Sequence, residues 1–115
     1  MIIFYNPECS KCNKALGLLN ESNCEVEIRN YLLNPPTDEE IRNLLELLGC
    51  RAEDIVRKKE PLYIELFDGK TIDESEWPGI LSKHPILIER PIVVHGDKAI
   101  IGRPPEKVLE IITRL

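Results

Sequence analysis

Two cysteines near the start of the chain have the spacing of a redox pair. Cys9 and Cys12 follow a short apolar run, Ile2 to Tyr5, which ends at Asn6-Pro7. This β-branched and aromatic run predicts a buried strand, and the pattern after Cys9 predicts a helix. A thiol at such a junction meets unpaired N–H groups and the positive end of the helix dipole, and both favour the thiolate. We therefore predict that Cys9 is a nucleophile whose pKa lies below the reference value of about 8.5.

The second cysteine, Cys12, lies one helical turn after Cys9, so the two sulfur atoms can approach to bonding distance and form an exchangeable disulfide. The alternative is that Cys12 is a bystander in a mechanism that uses one cysteine. A zinc site is disfavoured, because Cys-x-x-Cys would need two further ligands at compatible spacing. The remaining candidates form no second close pair: Cys24, Cys50, His84 and His95. We expect no bound metal and a structural role for those four residues.

Three arginines could supply positive charge to an ionised sulfur. Arg90 precedes Pro91 at the start of a predicted strand, and Arg103 precedes Pro104 just after the next strand. Arg57 lies in a basic run of the central part of the chain. A guanidinium group presents a fork of donors that matches an oxyanion, so three of them would hold a thiolate and bind an anionic substrate. The alternative is that each is an ordinary surface arginine in a local salt bridge.

The strands that would position these residues belong to a mixed sheet. Residues 25–31 alternate as a half-buried strand, with Val26 and Ile28 on the inner face, and complete a βαβ unit with parallel strands. Residues 91–94 and 98–101 are two further strands, joined as a hairpin by His95-Gly96-Asp97. A last helix begins near Pro105. Its apolar face is formed by Val108, Leu109, Ile111, Ile112 and Leu115.

The central part of the chain, about residues 37–83, reads as a helical block. It begins with a Thr37–Glu40 capping box and includes short helices predicted at 52–59 and 73–83, the latter with Pro78 in its first turn. The pattern predicts an α/β fold with a four-stranded mixed sheet. We predict one domain, residues 1–115, in which the helical block is an insertion between strands 2 and 3.

Length and charge narrow the class of protein. The chain has 115 residues, 43% of them hydrophobic, which suffices for one core, and a net charge of −5. A generic nucleic-acid binder needs a basic face, so that class is disfavoured. No apolar run approaches the roughly 18 residues of a membrane span, and the first apolar stretch is too short for a signal peptide. We expect a cytoplasmic monomer that binds neither nucleic acid nor membrane.

Five motifs spread over the chain carry a resemblance to a known family. They are Tyr5-Asn6-Pro7-x-Cys9, Leu32-x-Asn34-Pro35-Pro36, Arg57-Lys58, His84-Pro85-Ile86-Leu87-Ile88-x-Arg90-Pro91-Ile92-Val93-Val94 and Gly102-Arg103-Pro104. Together they resemble the ArsC family of arsenate reductases, the type coupled to glutathione and glutaredoxin. The resemblance implies a thioredoxin-like fold with a helical insertion and a cis bond before Pro91. It also implies that Cys9 is the nucleophile and that Arg57, Arg90 and Arg103 form the oxyanion site.

The implied reaction needs no bound cofactor and uses glutathione and glutaredoxin as co-substrates. Cys9 attacks arsenate or a similar oxyanion, glutathione attacks the adduct as arsenite forms, and glutaredoxin regenerates the thiol. Two positions depart from the family pattern. Tyr5 stands where the best-studied members have a histidine, and Cys12 stands where a small hydroxyl residue is usual.

Two alternative functions remain open. The first is a general thiol–disulfide oxidoreductase that uses Cys9 and Cys12. The second is a redox-sensing regulator resembling Spx, which has the same fold and Cys-x-x-Cys and binds the RNA polymerase alpha subunit. Such regulators typically lack the full set of three arginines, so the presence of Arg103 favours the enzyme.

Overall fold

The computed structural model describes residues 1–112 as two compact units. The first unit consists of Met1–Asn34 together with the chain from Arg90 onward, and the second is Pro35–Glu89. This division leaves the single domain with a helical insertion as a prediction.

The first unit contains one mixed sheet. Its strands are β1 (Ile2–Tyr5), β2 (Glu27–Asn30), β3 (Ile92–His95) and β4 (Lys98–Ile101). The order across the sheet is β2-β1-β3-β4, with β1 parallel to β2 and β3 antiparallel to both β1 and β4. The predicted parallel βαβ unit and the C-terminal hairpin are therefore confirmed, as is the α/β class with a thioredoxin-like, four-stranded mixed sheet.

Helices accompany the sheet and make up most of the second unit. Their bounds are α1 (Ser10–Glu21), α2 (Asp38–Leu48), α3 (Pro61–Leu66), α4 (Trp77–Lys83) and α5 (Leu109–Ile112). Short 3₁₀ turns lie at Ala52–Ile55, Glu74–Glu76, Pro85–Leu87 and Pro105–Val108. Across residues 1–112, every helix falls short of the length and apolar character that crossing a bilayer would require.

The core of the first unit fixes α1 against the sheet. Ile3 and Val93 are register partners on the central strands β1 and β3, and both are fully buried. Ala15 and Leu19 of α1 pack into the same cluster, as does Val108. Burying a large aliphatic side chain contributes roughly 1.5–3 kcal/mol, so this cluster holds the helix in place. The start of α1, which carries the cysteines, is thereby held beside the end of β1.

Local signals fix the ends of α2 in the second unit. The Thr37 hydroxyl accepts from the Glu40 N–H at 3.1 Å, and the Glu40 carboxylate accepts from the Thr37 N–H at 2.9 Å. The helix ends at Gly49, whose φ of 66° lies in the left-handed region that favours glycine. The predicted capping box is confirmed, and Pro78 lies in the first turn of α4 as expected.

An aromatic cluster forms part of the packing of the second unit. Trp77 is 3% exposed and stacks on Tyr63, with ring centroids 6.4 Å apart. Phe67 contacts both rings and also meets the edge of His84. These contacts agree with a packing role for the aromatic residues and for His84.

The second strand is shorter and more exposed than its alternating sequence predicts. It spans Glu27–Asn30 rather than residues 25–31, and Ile28 is 51% exposed. The prediction that Ile28 lies on a buried face was wrong. The physical reason is the position of β2 at the edge of the sheet, where the strand has a neighbour on one side only.

Two other elements differ from their predicted bounds. Residues 52–59 do not form one helix, because only Ala52–Ile55 makes a 3₁₀ turn before Val56 becomes extended and pairs with Ile88. The helix α3 was not predicted. The last helical segment begins with the 3₁₀ turn before α5, and the predicted apolar-face residue Leu115 lies outside the described residues.

Gly102 occupies a position at the end of β4 that has no room for a side chain. A Cβ atom there would lie 2.8 Å from Pro91 Cγ and 2.9 Å from Val108 Cγ1. We expect Gly102→Ala to lower the free energy of unfolding by about 1–3 kcal/mol, since overpacking forces neighbouring groups to move. Chemical denaturation measures this change.

The matched control is Gly17→Ala in the interior of α1. A Cβ at Gly17 would meet nothing within 4 Å, so this variant should gain up to about 1 kcal/mol from helix propensity. Equal stability of Gly102→Ala and the wild type would contradict the close packing at the end of β4.

Candidate active site

A tight loop after β1 places Cys9 at the start of α1. The Asn6 side-chain oxygen accepts from the Glu8 N–H at 3.0 Å, and the Asn6 carbonyl accepts from the Cys9 N–H at 3.0 Å. Asparagine favours such turns because its side chain bonds the backbone two residues further on. Cys9 has an extended backbone and is the N-cap residue of α1. The predicted strand–helix junction for the thiol is therefore present.

Asn13 ties the same loop to the first turn of α1. Its side-chain oxygen accepts a hydrogen bond from the Tyr5 hydroxyl, and its side-chain nitrogen donates to the Pro7 carbonyl at 3.1 Å. Its backbone N–H donates to the Cys9 carbonyl at 3.1 Å. Sequence reasoning missed the roles of Asn6 and Asn13. Asn6-Pro7 indicated only the end of the first strand, and nothing in the sequence pattern singled out Asn13.

The Cys9 thiol is 8% exposed, and its surroundings favour the ionised form. Burial raises the pKa of Cys9, but the N–H and thiol of Cys12, the charge of Arg90 and the N–H of Lys11 outweigh burial and lower it. Within α1, which the structure describes completely, the sulfur makes no close capping hydrogen bond. The net direction agrees with the expected activated thiol.

The neighbouring thiol, Cys12, has the opposite character. It is fully buried, and burial, together with the hydrogen bond and charge of Cys9, raises the pKa of Cys12 to about 12. The Asn6 N–H and the Arg90 charge act in the other direction but do not outweigh these causes. The pair therefore combines one thiol whose pKa is lowered with one whose pKa is raised.

Two of the predicted arginines are brought together at one end of the hairpin. The Arg103 Nε donates to the Arg90 carbonyl at 2.8 Å, and the Gly102 N–H donates to the Pro91 carbonyl at 2.8 Å. The Arg90–Pro91 bond is cis, as the resemblance implied, and the Arg103–Pro104 bond is also cis, which was not expected. Both arginines are half-buried. Positive charge is therefore anchored in the unit that contains Cys9.

The third predicted arginine, Arg57, is held by contacts inside the second unit. Its Nη2 lies 3.0 Å from a Glu60 carboxylate oxygen, and its Nη1 donates to the Ile86 carbonyl at 3.0 Å. The side chains of this ion pair are largely buried, at 21% and 17% exposure. The assignment of Arg57 to an oxyanion site rests on the resemblance and stays a prediction.

Most of the chain matches a known protein family. A model of the ArsC family matches residues 4–111 of the chain. The chain belongs to the ArsC family. It is similar to the Escherichia coli (strain K12) protein YfgD, with 44% identity over 112 residues that cover 96% of this chain and 94% of YfgD.

Other members of the ArsC family resemble the chain over nearly its whole length. An arsenate reductase of Haemophilus influenzae (strain KW20 Rd) is 40% identical over 114 residues, covering 97% of this chain and 98% of the relative. The solved structure of an arsenate reductase from Vibrio cholerae superposes with a TM-score of 0.85 at 40% identity. That match covers 96% of this chain and 95% of the other.

The two departures from the ArsC pattern have distinct structural roles. Tyr5 uses its hydroxyl to bind Asn13 and so stabilises the loop before Cys9. Cys12 contributes to the lowered pKa of Cys9 through its N–H and its thiol. The other two cysteines lie elsewhere: Cys24 packs beside the core of the first unit, and Cys50 has a pKa raised by burial and by Asp54 and Glu74. Across residues 1–112, no cluster of three His, Cys, Asp or Glu side chains could hold a metal ion.

Proposed function

We propose that the chain reduces arsenate to arsenite through the thiolate of Cys9, with glutathione and glutaredoxin as co-substrates. The feature that supports this most directly is the position of Cys9 at the start of α1, where N–H groups and the charge of Arg90 lower its pKa. The relatives from Haemophilus influenzae and Vibrio cholerae are named arsenate reductases. We also propose the cytoplasm as the compartment, because free thiols persist in its reducing conditions.

In the proposed first step, the arginines bind the oxyanion and Cys9 attacks it. Arg90 and Arg103 are the anion ligands that the first unit offers, and Arg57 remains the third member implied by the resemblance. The Cys9 sulfur forms a bond to arsenic(V), and an arsenate oxygen takes up protons and leaves as water. Guanidinium groups stabilise the negative charge on the arsenate oxygens as this bond forms.

The second step transfers two electrons to arsenic. The thiolate of glutathione attacks the Cys9 sulfur, the sulfur–arsenic bond breaks, and its electron pair stays on arsenic, which leaves as arsenite. The two sulfurs are thereby oxidised to a mixed disulfide between Cys9 and glutathione. A glutaredoxin thiol then attacks the glutathione sulfur and releases Cys9 as thiolate, the better leaving group.

A coupled assay tests the proposal. We expect arsenate-dependent NADPH oxidation in the presence of glutathione, glutaredoxin and glutathione reductase, with arsenite detected directly as the product. Omission of arsenate or of the protein should remove the signal. A protein that forms no arsenite in this system, yet reduces a model disulfide, would overturn the proposal in favour of a general thiol–disulfide oxidoreductase.

That oxidoreductase is the second candidate, and the spacing of Cys9 and Cys12 within the first turn of α1 is what favours it. Redox-active pairs combine one readily ionised thiol with a protonated neighbour, as here. The regulator resembling Spx stays a prediction from the family resemblance. A pull-down with the polymerase alpha subunit would test it, and failure to bind in both redox states would remove it.

A further inference from the structure

Cys12 is a thiol that the reaction above does not use, although it lies in the helical turn that follows Cys9. We propose that Cys12 is a second redox residue, which attacks the Cys9 sulfur once Cys9 carries an adduct and closes an internal disulfide. This proposal rests on the proposed function for its arsenate branch. It also has a branch that needs no arsenate, in which the adduct on Cys9 is glutathione.

The geometry of α1 sets up this contact. Cys9 is the N-cap residue and Cys12 is the third residue of the helix, the position whose backbone an N-cap side chain meets. Residues three apart on a helix are neighbours on its surface, so the sulfur atoms of Cys9 and Cys12 can approach to bonding distance. Both cysteines are free thiols, and Cys12 is fully buried. A thiol in solution cannot reach the buried Cys12, whereas the neighbouring Cys9 can reach it.

The order of events follows from what surrounds Cys12. While Cys9 is anionic, Cys12 keeps its proton, because burial and the charge and hydrogen bond of Cys9 oppose its ionisation. When the Cys9 sulfur becomes bonded to arsenic or to glutathione, it loses its negative charge. The Asn6 N–H and the Arg90 charge still favour a Cys12 thiolate. Modification of Cys9 thus removes two of the three causes that raise the pKa of Cys12 and leaves burial as the third.

The electrons balance in both branches. With arsenic on Cys9, the Cys12 thiolate attacks the Cys9 sulfur, the sulfur–arsenic bond breaks, and its electron pair reduces arsenic(V) to arsenic(III). Arsenite leaves, two protein thiols become one disulfide, and the proton of Cys12 passes to solvent. With glutathione on Cys9, the same attack expels glutathione thiolate by disulfide exchange. A dithiol reductant returns either product to the two thiols.

Proximity favours the internal attack over the attack of external glutathione. Well-oriented groups held within one molecule reach effective concentrations of about 10⁵ M or more, far above any cellular thiol. Burial of Cys12 opposes this gain by keeping its thiolate scarce. The chain should therefore complete a single reduction of arsenate with no glutathione present.

Single-turnover mass spectrometry tests the arsenate branch. Fully reduced wild-type protein, freed of small thiols, is mixed with arsenate, quenched with iodoacetamide and analysed intact and as peptides. We expect about one arsenite per chain, an intact mass lower by two hydrogen atoms in an aliquot taken without iodoacetamide, and a peptide linking Cys9 to Cys12. Wild-type protein that releases arsenite only when glutathione is added would overturn the proposal.

Three variants separate the redox role from a structural one. Cys12→Ser keeps a donor beside Cys9, so its Cys9 should still react with iodoacetamide, but it should release no arsenite without glutathione. Cys12→Ala removes the donor and should also slow the alkylation of Cys9. Cys24→Ser is the matched control from the same unit and should behave as the wild type. Single-turnover arsenite release by Cys12→Ser at the wild-type level would contradict the proposal.

An arm without arsenate keeps this inference independent of the substrate. Reduced protein is treated with oxidised glutathione, which places glutathione on Cys9. We expect the wild type to lose this adduct and gain the Cys9–Cys12 disulfide, whereas Cys12→Ser keeps the adduct. A lasting adduct on the wild type would overturn the proposal. If the complete glutathione and glutaredoxin system yields no arsenite, the proposed function fails, and this arm still decides the role of Cys12.

Discussion

Replacement of the attacking sulfur by oxygen should remove arsenite production. We expect Cys9→Ser to lower kcat by at least about 10³-fold in the coupled assay, because a serine hydroxyl at this position has no general base to ionise it. The pKa of the wild-type thiol, by contrast, is lowered by the N-terminal N–H groups of α1 and by Arg90. Initial rates of NADPH oxidation and direct measurement of arsenite check this result.

The control for this substitution is Cys24→Ser, which changes a partly buried cysteine of the same unit. It should keep the rate within about twofold of the wild type, since Cys24 lies outside the site. Thermal unfolding of both variants establishes that any loss is chemical rather than structural. If Cys9→Ser retained a tenth of the wild-type rate, the nucleophile would have to be sought elsewhere.

Loss of the positive charge at Arg90 should produce the second large effect. We expect Arg90→Gln to lower kcat/KM by about 10²–10³-fold, because the guanidinium both stabilises the Cys9 thiolate and binds the substrate oxyanion. Glutamine keeps a polar side chain of similar length without the charge. Steady-state kinetics with arsenate as the varied substrate measure the change.

The pH dependence of this variant separates the two effects of the charge. The lowered pKa of Cys9 keeps the thiolate populated down to that pKa, and the rate is lost as the pH falls through it. Without Arg90 the pKa of Cys9 should rise, so the acid limb of kcat/KM should move to higher pH. Alkaline pH should therefore restore the part of the rate that was lost because less Cys9 is ionised. The alkylation rate of Cys9 against pH should move in the same direction.

Arg42→Gln is the matched charge control. Arg42 is an exposed arginine of the second unit that pairs with Asp38, and its removal takes away one positive charge without touching Cys9. Its kinetics and pH profile should match those of the wild type. A pH profile for Arg90→Gln that coincides with that of Arg42→Gln would show that Arg90 does not act on the thiol.

Local signals in the sequence were sufficient for most elements of the fold. The β-branched run of β1, the Thr37 capping box and the turn at Gly96 each specify their structure within a few residues. Helix α3 was missed because it is six residues long and buries none of them, so it leaves no apolar periodicity to detect. The exposure of Ile28 depends on the position of β2 in the sheet, which a strand's own alternation does not encode.

The candidate site likewise has features that the sequence predicts and features that it does not. The place of Cys9 before α1 followed from the strand and helix patterns on either side of it. The opposite proton affinities of Cys9 and Cys12 did not, because they depend on burial and on the nearby charge of Arg90. The contribution of Asn13 was also hidden, since its two side-chain hydrogen bonds reach Tyr5 and Pro7 only after the loop has folded back.

The stacked aromatic cluster around Trp77 gives the chain a built-in optical reporter. Trp77 is the sole tryptophan and belongs to the second unit, whereas the buried thiol of Cys12 belongs to the first. Fluorescence emission during denaturation therefore follows one unit, and labelling of Cys12 by a thiol reagent follows the other. Comparison of the two denaturation curves shows whether the two units unfold in one cooperative transition or one after the other, and no engineered dye is needed.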